Sequence, residues 1–338
     1  MFLTSTAVFH YLRDRGLLLA LDPEFEVVTA HRRNHNFLVR ANGGGFAVKQ
    51  VRYWSESQRA NLKREADWYW FAAHDTRLAA MRHLLPSARS WDPRNSVLVL
   101  DLLPLTSMAG MDALFDCTRA KLVGEAMALV HRSMTWLPEA ADLNERFPGE
   151  IPAFLDVASI VAMEPLKDDG TKSDSRKELL RVIRTHFGFG PALDRLRLTW
   201  RNETLVHGDW KLGNCLADNT DPQVQPRIVD WESPDIGDPV WDCSMLLQSY
   251  WTYWITDPAT YELAMIRPAV QAFSNAYGLH NAARTRAVAF AGARLLQTAW
   301  EWLENEEQMT APVVRLLQAA ANILEDPAKA EGQLFSDR

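Results

Sequence analysis

Residues 205–219, LVHGDWKLGNCLADN, place a histidine, two aspartates, a lysine and two asparagines among apolar residues, and IVDWES follows at 228–233. The flanking Leu205, Val206, Ile228 and Val229 are strand-forming aliphatics, so both strings predict short buried strands that end in polar turns. Polar side chains at such strand ends face the mouth of a cleft. Carboxylates held there need partners, because a buried charge without one is costly.

A divalent cation would answer several of these groups at once. Magnesium takes oxygen ligands, typically one or two carboxylates or carboxamides, with phosphate oxygens and water completing the octahedron. Asn214 and Asp230 are candidate ligands from two neighbouring loops. Asp209 is then free to accept a proton from an attacking hydroxyl, with Lys211 near the charge that develops on a transferred phosphoryl group. The competing reading of Asp209 and Asp230 is a turn or cap role, common for aspartate at strand ends.

Composition narrows the field. With 338 residues the chain is long enough for two domains or one bilobal unit. A net charge of −7 argues against general nucleic-acid binding and leaves room for a cationic or neutral substrate. Three widely spaced cysteines, Cys117, Cys215 and Cys243, form neither a disulfide framework nor a zinc site, which suggests a reducing, cytoplasmic setting. The apolar run at 16–21 is too short for a signal-peptide core or a membrane span.

Two periodicities divide the chain. From about Glu26 to Leu103, the runs EVVTA, NFLVRA, GFAVKQV and SVLVLDLL read as strands, with one helical stretch near 56–74. From about Met108 onward, RAKLVGEAMALVHRSM, AMIRPAVQAFSNAY and RTRAVAFAGARLLQTAWEWLENEEQ carry helical spacing. The expected class is therefore α+β, with a small sheet lobe over 1–103 and a larger helical lobe over 104–338. Asn42-Gly43-Gly44-Gly45 predicts a hairpin rather than a phosphate loop, since no helix follows the glycines. Arg32 and Arg33 in the adjoining TAHRRNHN segment are better placed to face phosphate, or else are simply solvated. KDDGTKSDSRK at 167–177 reads as a surface loop.

The order H-G-D-x-x-x-x-N, then a strand, then D-W-E resembles the aminoglycoside phosphotransferase and choline kinase group, relatives of protein kinases. His207, Gly208, Asp209 and Asn214 match that group's catalytic loop, and Asp230 its metal-binding aspartate. Lys211 stands where the protein-kinase catalytic loop carries its lysine. FAVKQ resembles the strand bearing the nucleotide-phosphate lysine, here Lys49, and NLKREADWYWFAA the helix whose glutamate pairs with it, here Glu65. Helical spacing supports that pairing, because Glu65 shares the inward face predicted for Leu62, Ala66, Tyr69 and Ala73. LVLDLLP resembles the segment joining the lobes, which implies adenine contacts from the Asp101 carbonyl and the Leu103 amide. GEAMALVHR places His131 at a recurrent family histidine, and Asp242 is implied to orient the catalytic loop. His207 is expected to brace that loop, since Asp209 already holds the base position.

The resemblance implies a bilobal protein-kinase-like fold and transfer of the γ-phosphoryl group from ATP, or GTP in its place, to a hydroxyl with Mg2+. The acceptor it allows is an aminoglycoside-like antibiotic, choline, a sugar, or Ser/Thr of a precursor peptide as in lanthipeptide and thioamitide biosynthesis, where a partner protein would be involved. Residues 29–36 carry no glycine-rich nucleotide lid, and no long activation segment separates Asp230 from Asp238. The alternative from another class is a pseudokinase scaffold. Among 13 tryptophans, Trp241, Trp251, Trp254, Trp300 and Trp302 read as helical core or as an aromatic acceptor pocket. Glu301, Glu304, Glu306 and Glu307 read as a solvated face or a polyamine clamp.

Overall fold

The four strand-like runs and one further strand form a five-stranded antiparallel sheet, ordered β1 (Glu26–Thr29), β2 (Asn34–Ala41), β3 (Gly44–Val51), β5 (Val97–Asp101) and β4 (Ala88–Asp92). The computed structural model describes residues 2–18, 25–30, 34–41, 44–111, 114–140, 143, 145–156, 159–160, 174–186, 188–303 and 306–336. Arg32, Arg33, the hairpin tip at 42–43 and most of the 167–177 loop lie outside them. The hairpin is present as expected, with Ala41 opposite Gly44 in the β2–β3 register.

Alternation along β5 explains the layering, because successive side chains of a strand point to opposite faces. Val97 and Val99 join a small apolar cluster with Phe37, Val39 and Val48, capped by Val8 and Leu12 of α1 (Ser5–Asp14). Leu98 and Leu100 face the main core with α2 (Glu56–His74). The sheet is thus covered on both faces by helices. The sequence reading named neither α1 nor β4.

Helix α2 opens where Ser55 accepts a hydrogen bond from the Gln58 amide at 3.3 Å, satisfying a donor that the first turn would leave bare. Leu62, Glu65, Ala66 and Tyr69 are buried along its inner face as expected; Ala72 completes that face, whereas Ala73 is exposed. The remainder is mainly helical. Helix α3 (Cys117–Ser133) packs on the helix Leu263–Tyr277, and the helix Pro239–Thr256 packs on Asn281–Trp302, which in turn carries Ala311–Glu325. The Asn281 helix stops at Trp302, short of the longer span that the periodicity suggested. Its residues 287–300 are apolar nearly all round, as a helix enclosed by neighbours must be.

Two small sheets set the site on this helical base. Strand β7 (Thr204–Val206) pairs antiparallel with β10 (Asp235–Gly237), with Leu205 opposite Ile236. Strand β8 (Cys215–Ala217) lies between β6 (Thr106–Ser107) and β9 (Arg227–Ile228). The segment that follows the sheet lobe therefore pairs directly with the strand that follows Asn214. All three cysteines are free. No helix among the described residues is long and apolar enough to cross a membrane.

Candidate active site

The loop between β7 and β8 is held by one buried carboxylate. Asp242, in the first turn of the helix Pro239–Thr256, accepts hydrogen bonds from the His207 amide at 2.7 Å and the Gly208 amide at 3.0 Å. His131 approaches the same carboxylate through Nε2 at 3.1 Å and reaches the Tyr277 hydroxyl through Nδ1 at 2.9 Å. Both residues stand where the sequence reading placed them, and Asp242 orients the loop.

Gly208 adopts φ +77°, and a Cβ there would lie 2.4 Å from the Ser233 carbonyl oxygen. Only glycine meets both conditions, which accounts for the H-G-D order. His207 is fully buried, its Nδ1 accepting from the Asp209 amide at 3.1 Å and its Nε2 donating to the Val229 carbonyl at 3.0 Å. Those two bonds require the neutral Nε2–H tautomer. Burial pushes the imidazole below its ordinary pKa, against the nearby Asp242 and Asp209 charges. His207 braces the turns around Asp209 and Asp230 and is not available as a base.

Asp209 Oδ2 accepts from Lys211 Nζ at 2.6 Å and from Asn214 Nδ2 at 3.1 Å. Asn214 Nδ2 also donates to the Asp209 carbonyl at 2.8 Å, so the amide nitrogen is occupied and the carboxamide oxygen is the group left to ligate. The Val229 amide donates to the Asn214 carbonyl at 3.0 Å, which ties the catalytic-type loop to the turn bearing Asp230. Asp230 itself has φ +69°, a conformation uncommon outside glycine that signals a constrained position.

Lys49 links the lobes. Its ammonium donates to Glu65 Oε1 at 2.7 Å and to Asp230 Oδ1 at 2.6 Å. Burial alone would lower its pKa, but the Asp230 and Glu65 carboxylates more than offset that and hold it well above the ordinary value. Glu65 is 0% exposed, and burial raises its pKa to about 7 despite Lys49. For Asp230, burial is outweighed by Lys49, and its pKa falls to about 2.

Asp101 and Leu103 lie at and just beyond the end of β5. Phe46 pairs with Asp101 and Lys49 with Leu98, so Asp101 sits three residues along the sheet from the lysine, roughly 10 Å at strand rise. That is a suitable span between an adenine edge and its phosphates. Arg89 grips the Asp101 carboxylate with bonds of 2.6 and 2.9 Å, and the Asp101 amide donates to the Ser87 carbonyl at 2.9 Å.

No group of three or more His, Cys, Asp or Glu side chains able to hold a metal occurs among the described residues. One carboxylate and one carboxamide oxygen are nonetheless the sparse donor set that suits magnesium held jointly with phosphate. Of the tryptophans singled out, Trp241 and Trp300 line a pocket of about 570 Å³ beside Gly208, together with Glu301. Trp251 and Trp254 line a different cleft, near Ala319, and Trp302 is exposed. Glu304 lies outside the described residues. Arg294, Arg64 and Trp200 also border the pocket beside Gly208, and the sequence reading missed them. The available signal was a lone arginine inside the apolar run AVAFAGARLLQTAW.

A family model described as phosphotransferase enzyme family matches residues 24–290. Comparison with curated proteins found no match. Among solved structures, an ethanolamine kinase of Plasmodium vivax aligns at TM-score 0.63 and 10% identity, over 97% of this chain and 88% of its own. The choline kinase LicA of Streptococcus pneumoniae aligns at TM-score 0.58 and 14% identity, over 95% and 99%. The aminoglycoside phosphotransferase APH(3'')-Id of Streptomyces rimosus, solved with ADP and streptomycin, aligns at TM-score 0.55 and 19% identity, over 87% and 99%. At these identities the neighbours establish the bilobal kinase-like fold. With the family model spanning most of the sequence, the chain belongs to the phosphotransferase enzyme family.

Proposed function

We propose that the chain moves the γ-phosphoryl group of ATP to the hydroxyl of a small molecule. The observation that carries this reading is Lys49 held between Glu65 and Asp230, with Asp209 on the adjoining loop. The ADP of the Streptomyces rimosus structure supports a nucleotide donor, and the choline, ethanolamine and streptomycin named for the neighbours support a small acceptor.

In this scheme Lys49 neutralises the α- and β-phosphates, and Glu65 keeps its ammonium in place. The Asp101 carbonyl and the Leu103 amide receive the adenine edge. Asn214 and Asp230 would hold magnesium, which neutralises phosphate charge when bound. Asp209 orients the acceptor hydroxyl and takes its proton as the oxygen attacks phosphorus in line with the departing ADP. Lys211, 2.6 Å from Asp209, lies beside the phosphoryl group as charge develops on it. Catalysis of this kind is mostly positioning and charge stabilisation.

Asp209→Ala is expected to lower acceptor-dependent ATP consumption by ~100-fold or more, the scale of a lost positioned base. Nucleotide binding, read by titration with MgADP, should persist. Turnover at the wild-type rate in that variant would remove the base assignment. MgADP binding without turnover in the wild type, across cationic, neutral and acidic alcohols, would favour a scaffold.

A further inference from the structure

The pocket beside Gly208 contains a buried charge with no carboxylate at hydrogen-bonding distance. Arg294 is 3% exposed, projects from the middle of the helix Asn281–Trp302, and borders that pocket. Its Nε has no hydrogen-bond partner, and its nearest carboxylate contact is Asp209 Oδ1 at 3.8 Å, beyond hydrogen-bonding reach. Asp209 is meanwhile engaged at 2.6 Å by Lys211. One carboxylate thus faces two cations, Lys211 at hydrogen-bonding distance and Arg294 beyond it. A buried guanidinium without acceptors is costly, and its planar fork matches a carboxylate bidentately.

The carboxylates on the lining, Glu150, Asp235 and Glu301, match Arg64, Arg176 and Arg294 in number, but none of them forms an ion pair with the Arg294 guanidinium. Asp235 accepts from the Gly149, Glu150 and Ile236 amides at 2.8, 3.1 and 2.8 Å. Glu301 accepts from Gln297 at 2.9 Å, and Glu150 is exposed. Half-buried Arg64, whose charge acts on Asp235, and Arg176, which donates to the Trp300 carbonyl, add two further cations to the lining. The Arg294 guanidinium lies over the Trp241 ring at 5.5 Å.

Building on the phosphotransferase reading, we propose that the acceptor carries a carboxylate, that Arg294 binds this carboxylate as a fork with Arg64 across the pocket, and that the acceptor hydroxyl is thereby turned toward Asp209. A substrate of this class is a hydroxy acid, opposite in charge to the choline and ethanolamine named for the structural neighbours. It also departs from the cationic or neutral substrate that the net charge of −7 leaves room for. The buried Arg294 fork decides recognition, and the whole-chain charge does not.

The test uses the full chain saturated with MgADP. Thermal-shift titrations with glycerate, malate and shikimate are set against their neutral amides, choline, streptomycin and inorganic phosphate. At least one hydroxy acid should stabilise the wild type saturably, its amide and the cations should not, and Arg294→Gln should weaken that acid by about 30-fold or more. Arg294→Lys, which keeps the charge and loses the fork, should recover only part of the affinity, and both variants should still bind MgADP. Stabilisation by choline or streptomycin but by no acid would overturn the proposal, as would no shift with any acid, or acid binding indifferent to position 294. An Arg294-dependent response to phosphate alone would also overturn it, assigning the arginine to the transferred group. A wild type that fails to bind MgADP would instead sink the phosphotransferase reading beneath it.

Discussion

At the scale of single residues, the site is built from groups whose neighbours leave them few alternatives. Gly208 needs both φ +77° and room against the Ser233 carbonyl. Gly208→Ala should therefore cost about 2 kcal/mol or more in chemical denaturation, and also displace the loop enough to slow turnover. Glu65 supplies a pH signature. With a pKa near 7, it takes up a proton as pH falls through neutrality and weakens its hold on Lys49, while Asp230 stays ionised. The KM for ATP should rise along that limb, and Glu65→Gln should give a high KM that no longer varies there. The same two groups act on stability with opposite signs. A carboxyl raised from 4.5 binds its proton more tightly when folded, so Glu65 makes the fold less stable as pH climbs from 4.5 to about 7. Asp230, lowered from 3.8, contributes stability above 3.8 that is lost as pH falls toward 2. Asp209, Asn214 and Asp230 were legible as a group because residue type and spacing in two short strings single them out, and Lys49 and Glu65 because FAVKQ and NLKREADWYWFAA resemble family segments. Arg294 was not, because its meaning lies in which pocket a helix face borders, and that depends on packing across the chain.

At the scale of elements, α2 is coupled to the turn bearing Asp230 by aromatic packing. Trp68 of α2 stacks on Trp231 at 4.7 Å, and Trp231 meets the His207 ring at 4.4 Å, all three fully buried. The helix that positions Glu65 is thereby joined to the turns that position Asp209 and Asp230. Trp231→Ala should lose about 3–5 kcal/mol, the scale for emptying a large aromatic site, and should raise the KM for ATP through Glu65 and Lys49. Trp231→Phe should retain most of the stability in the same urea titration. Elements with a clear period were legible: β2, β3 and β5 alternate, and the Leu263 and Asn281 helices repeat every three to four residues. Strand β4 was missed because ARSWD has little apolar alternation and gains its place by pairing with β5. Helix α1 was missed because its apolar residues fill a cluster whose other members lie in distant strands.

At the scale of the whole molecule, the change of period near residue 103 predicts two lobes, yet the packing joins them. The main apolar cluster is continuous from Val51 and Leu62, through Trp68 and Trp231, to Leu334 at the far end of the helical part. Strand β6 adds a backbone link, since Thr106 and Ser107 pair with Ala217 and Leu216. Among the described residues, only the smaller cluster under α1 stands apart from that core. A chain whose halves share one core should unfold as one body, because neither half retains its buried surface without the other. Calorimetry should therefore show a single transition with matching calorimetric and van 't Hoff enthalpies. Leu12→Ala, which opens a cavity on the outer face of the sheet at a cost of about 2–5 kcal/mol, should lower that whole transition and leave no separate helical melt behind. Two resolved transitions, with only the first moved by Leu12→Ala, would show instead that the lobes fold independently and that nucleotide binding between them supplies their coupling.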